Sequence, residues 1–140
     1  MRTLLLAMLL LSGEVVAAQP AIAIIANHDG DYATLTRKQV VDIYMGKLTV
    51  LTNGTFPQPV DYQGNPEIRE RFYRLLTGKN LAQINAYWAR MSFTGQTNPP
   101  RLLPDQKAML RAVGKNQDAL GYVDKNEVTP SVQPLMTIGE

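Results

Sequence analysis

Gln63, Gly64 and Asn65 stand between a short apolar run and a segment with helical periodicity, and Arg69 follows one turn further on. Amide side chains, a turn-forming glycine and a guanidinium at this spacing suit a small anion. A helix that opens at such a turn leaves backbone N–H groups unpaired and points the positive end of its dipole at them. Gln63 and Asn65 would add amide donors, and Arg69 a charge and a bidentate fork. The same residues also read as a well-capped helix. Asn65 is then the N-cap, Pro66 the first helical residue, and Glu67 an acid that answers the dipole and repels an anion. Both readings remain open on the sequence.

A second candidate is Asn27-His28, followed by Asp29-Gly30-Asp31 after an apolar run. In open α/β sheets ligands gather beyond the carboxyl ends of strands, although an exposed turn is the plainer reading. Thr94-Gly95 is a third polar candidate. Catalysis finds little to work with. There is one histidine and no cysteine, so a zinc set of three or four ligands lacks material. Beyond residue 18 the serines are Ser92 and Ser131, and neither sits in a G-x-S-x-G elbow. The glycine-rich nucleotide motifs are missing as well. No catalytic residue, no metal and no cofactor is assigned, and a non-enzyme is expected.

These candidates need elements to hold them. Residues 21–27 form a continuous apolar run, expected to be a buried strand. Thr36 and Gln39 have capping-box spacing, which predicts a helix over 37–45 with Gly46 behind it. Asn53-Gly54 predicts a tight hairpin turn, and residues 60–63 a short strand. Ile68, Phe72, Leu75 and Leu76 make one helical stripe ended by Gly78; Arg69, Arg71 and Arg74 lie off it and read as a solvated face. A third helix starts near Asn80, with Leu81, Ile84, Trp88 and Met91 inward, so Trp88 reads as core rather than as a ligand wall. Residues 93–100 read as a loop, 104–113 as a helix, 119–123 as a strand and 131–138 as a last strand. Alternating strands and helices predict an α/β fold with part of the sheet parallel.

Residues 1–18 carry Arg2, an apolar run over 4–11 and Val16-Ala17-Ala18, the pattern of a secretory signal peptide cut after Ala18. The run is shorter than the roughly 20 residues that span a bilayer, so export and a soluble product are expected, with residues 19–140 as one domain. The net charge of +2 is too small to point to nucleic acid.

In order, the chain shows Asp42-Ile43-Tyr44-Met45-Gly46-Lys47, Asn53-Gly54, Pro59-Val60, Arg69-Glu70-Arg71-Phe72, Ala86-Tyr87-Trp88-Ala89-Arg90, Phe93-Thr94-Gly95, Pro99-Pro100 and Leu120-Gly121-Tyr122-Val123. This set resembles the phosphate-type periplasmic solute-binding proteins of ABC transporters, and among them short single-lobe members. The resemblance implies a single lobe of a type II periplasmic-binding-protein-like fold, a mixed sheet flanked by helices. It also implies a periplasmic location and a phosphate-like oxyanion as ligand, with a membrane transporter as partner. The family's second-lobe anion loop aligns with residues 61–67, where Gly64 keeps the turn but the Ser and Thr hydroxyls are absent and Pro66 removes a donor. The family's first-lobe anion loop has no counterpart here. An alternative from another class is an interaction module that docks on a membrane sensor or transporter and has lost ligand binding.

Overall fold

A computed structural model of the 140-residue chain describes Gly13 and residues 19–139. The signal-peptide reading therefore falls on residues that, Gly13 apart, lie outside those described. Five strands form one mixed sheet in the order β3-β2-β4-β1-β5. They are β1 (Ile22–Ala26), β2 (Gln58–Tyr62), β3 (Arg101–Leu103), β4 (Ala119–Asp124) and β5 (Gln133–Ile138). β2 runs parallel to β3 and β4, whereas β1 is antiparallel to both of its neighbours, β4 and β5. The α/β expectation of a partly parallel sheet is met.

Four α-helices cover the sheet: α1 (Arg37–Tyr44), α2 (Glu67–Thr77), α3 (Leu81–Thr94) and α4 (Gln106–Lys115). Two adjacent residues of β4 show how they are layered, because successive strand side chains face opposite ways. Tyr122 stacks on Phe72 of α2, with ring centroids 3.7 Å apart, and meets Tyr44 of α1 edge-on. Gly121 faces α4, where an added Cβ would lie 2.6 Å from Met109 Sδ and 2.8 Å from Val113 Cγ2. α4 therefore packs on the face opposite α1 and α2, and glycine permits the close approach.

Local sequence chemistry explains most of the element ends. Thr36 and Asn80 close full capping boxes with Gln39 and Gln83, and Asp105 caps α4 through the Ala108 N–H. Gly78 and Gly95 end α2 and α3 in the left-handed conformation. Trp88 is buried as its helical face predicts, packed over Gly46 and edge-on to Tyr87.

Four local expectations fail. Asn53-Gly54 makes a turn but not a hairpin between strands: the Asn53 side chain accepts from the Thr55 N–H and donates to the Asp31 carbonyl, so it ties two loops together. α3 continues through Phe93 to Thr94, and the short edge strand β3 follows the prolines. The residue before α2 is Pro66 in extended geometry with no side-chain cap, so Asn65 is not the N-cap. Arg69 and Arg71 are buried rather than solvated, because each turns onto an aspartate of the sheet.

Candidate functional site

The site is built on Asp61, in β2 one residue before its end. Its carboxylate is 1% exposed and accepts four hydrogen bonds. Tyr122 Oη donates to Oδ1 at 2.5 Å and the Tyr62 N–H at 2.8 Å; Tyr73 Oη donates to Oδ2 at 2.6 Å and Arg69 Nε at 3.2 Å. A buried charge is tolerable only when paired and hydrogen-bonded in this way. Burial, and next to it the Asp61 charge, push the Tyr73 and Tyr122 phenols well above their ordinary value. Both therefore remain neutral donors at any physiological pH.

Arg69 carries this anchor outward to the turn. Its Nη1 donates to the Gly64 carbonyl at 3.2 Å and to Asn85 Oδ1 of α3 at 3.0 Å, while Asn85 Nδ2 donates to Asn65 Oδ1 at 3.2 Å. Gly64 takes φ +69°, a left-handed conformation suited to glycine. From the other side the Gln63 N–H donates to the Leu103 carbonyl at 2.9 Å. The turn 63–65 is thus pinned to β2, β3, α2 and α3 while its side chains stay exposed. Within it and the first turn of α2, the N–H groups of Gly64, Asn65, Glu67 and Ile68 find no acceptor among the described residues. These orphan donors sit at the positive end of the α2 dipole, at the carboxyl ends of three parallel strands. Glu67 and Glu70, both exposed in the first turn of α2, oppose an incoming anion.

The structure brings Gln63, Gly64, Asn65 and Arg69 together but leaves the other candidates elsewhere. β1 runs against β2 and β4, so Asn27 emerges at the opposite end of the strands, beside the start of β4. Its Nδ2 donates to the Val113 and Gly114 carbonyls at the end of α4, and its Oδ1 accepts from the Asp29 N–H. His28 is tied through Nε2 to the Pro130 carbonyl at 2.6 Å. Asn27 holds its loop against α4, and His28 ties the same loop to the segment before β5. Thr94 and Gly95 end α3, about 14 Å along its axis from Asn85 at the usual helical rise. Thr94 Oγ1 donates back to the Met91 carbonyl.

Sequence reasoning missed Asp61 and Asn85 as the groups that organise the turn. Asp61 had left a trace, since an aspartate within a strand of otherwise β-favouring residues is unusual. Among the described residues no group of three or more His, Cys, Asp or Glu side chains could hold a metal ion.

No family model matches the sequence, and no curated protein matches it. Solved structures do match. A phosphate ABC transporter substrate-binding protein from Clostridium perfringens, with phosphate bound, superposes with a TM-score of 0.67 at 22% identity. The fold is a single lobe of the periplasmic-binding-protein type. An ABC-type phosphate transport receptor from Vibrio cholerae superposes with a TM-score of 0.66 at 20% identity. Each match covers 84% of this chain, which spans 45% and 46% of the two structures, about half their length.

Proposed function

We propose that the protein is a periplasmic, non-enzymatic solute-binding-like protein that takes a small oxyanion of the phosphate class at the Gln63–Gly64–Asn65 turn. One observation carries this reading. The Asp61–Arg69–Asn85 clamp fixes the turn, and there and in the first turn of α2 four backbone N–H groups have no acceptor among the described residues. Fixed donors at a helix N-terminus suit phosphate or sulfate without further machinery. Arg69 acts as the post that positions the turn, its charge being matched by Asp61. Gln63 and Asn65 supply exposed amides. The two solved neighbours, by their descriptions phosphate receptors, make phosphate the first ligand to try.

Export by residues 1–18 places the domain in the periplasm; an intact mass of the exported protein that still included them would refute this. The binding claim is tested by calorimetric titration with phosphate, sulfate and small carboxylates. Phosphate should bind weakly, and Glu67→Gln should tighten it by removing a like charge from the turn. Heats that stay at the dilution level, with no gain in Glu67→Gln, would reject the oxyanion reading.

The second reading is an interaction module that docks on a membrane sensor or transporter. It is favoured by a specific feature: the Arg69 charge is spent on Asp61, and Glu67 and Glu70 crowd the same turn. A protein that ignores every oxyanion but is retained by its membrane partner would decide for docking.

A further inference from the structure

α4 presents a ridge of cations that no acid answers among the described residues. Lys107, Arg111 and Lys115 recur at i, i+4 and i+8 along one side of the helix, and Arg101 of β3 stands beside them. All four are exposed, and none makes an ion pair with the described residues. Two hollows flank the ridge. One, of about 450 Å³, is lined by Leu110 and Gly114 beside the three cations and by Thr129 and Ser131. The other, of about 300 Å³, lies between Arg101 and Leu103 on one side and Arg111 and Lys115 on the other. Among the described residues no aspartate or glutamate lines either hollow.

We infer that this ridge docks an extended, acidic peptide segment of a partner protein. Charge complementarity favours an anionic partner, since several cations held close together without a counter-charge repel one another. Spacing selects an extended chain. Cations four residues apart on a helix rise about 6 Å per step, and alternate side chains of an extended strand repeat at about 6.6–6.8 Å. An acid at every second residue therefore meets successive cations, and the apolar lining of the flanking hollows, Leu110 in one and Leu103 in the other, accepts the aliphatic parts. A single phosphate spans too little of the ridge to engage its whole length. The inference stands apart from the oxyanion reading, because α4 covers the face of the sheet opposite α2.

The test is fluorescence anisotropy of the whole protein with a labelled peptide that alternates Glu and Val, with a Lys and Val peptide as control. The acidic peptide should bind saturably and lose affinity as salt is raised. Arg111→Glu and Lys107→Glu should each weaken it at least about tenfold, with unchanged circular dichroism. Lys79→Glu, an exposed cation between α2 and α3, should leave binding unaltered. The inference is overturned by any of four results: no binding of the acidic peptide; equal loss in Lys79→Glu; displacement by inorganic phosphate at matched charge; or tighter binding to phosphatidylglycerol vesicles than to the peptide.

Discussion

Arg69, Tyr73 and Tyr122 all converge on Asp61, so three side chains from α2 and β4 and one backbone N–H of β2 share one buried carboxylate. Removing Arg69 leaves that charge without its cation in a site closed to water. Breaking a buried pair by removing one partner destabilises by about 3–5 kcal/mol, and we expect Arg69→Ala to fall in that range by urea denaturation. Arg74 provides the contrast. It is more than half exposed, 3.8 Å from Glu70, and exposed helix pairs contribute less than about 0.5 kcal/mol. Equal urea midpoints for the two variants would show that Arg69 is not the clamp described here. The sequence could not reveal this difference. All three arginines lie off the apolar stripe of α2, and Arg69 and Arg71 are buried because the helix folds back over β2 and β4, where Asp61 and Asp124 wait. The Gly64 turn was legible, because only local geometry was needed to find it.

At the scale of the elements, caps and periodicity located the four helices, and apolar runs located four of the five strands. β3 escaped because three residues carry no period, and its place beside β2 depends on the chain returning after α3. The direction of β1 was equally hidden. A buried strand reads the same in either sense, so the Asn27-His28 loop was expected among the carboxyl ends of the parallel strands and lies at their amino ends. The contact between α4 and β4 gives the element-scale prediction. Gly121→Ala would drive a methyl group into Met109 and Val113, both fully buried. Overpacking of this kind costs about 1–3 kcal/mol. A midpoint in urea equal to wild type would mean that α4 stands further from the sheet than described.

For the whole molecule, the α/β class and the single lobe were legible in the ordered motifs, whereas the burial of the tyrosines was not. Tyr44, Tyr73 and Tyr122 have phenol pKa values pushed well above 10.0, by burial first and the Asp61 charge second. Below about pH 10 these phenols are protonated in both folded and unfolded chains, and they add no pH dependence to stability. Above it the unfolded chain releases protons that the folded chain keeps, so stability falls with pH, by up to about 1.4 kcal/mol per unit for each group. Tyrosinate absorbance of these residues and loss of circular dichroism should therefore rise together in one alkaline transition. Complete tyrosine ionisation with native dichroism would contradict the buried cluster.

The central claim is that a small oxyanion is held by the backbone of the turn that Arg69 braces. Amide chemical shifts, followed by ¹⁵N–¹H NMR while inorganic phosphate is added, test it most directly. Saturable shifts are expected at Gly64, Asn65, Glu67 and Ile68, reproduced by sulfate and absent at Asn27, His28, Thr94 and Gly95. Shifts confined to residues 107–115, or none at the turn as phosphate rises through the millimolar range, would contradict it.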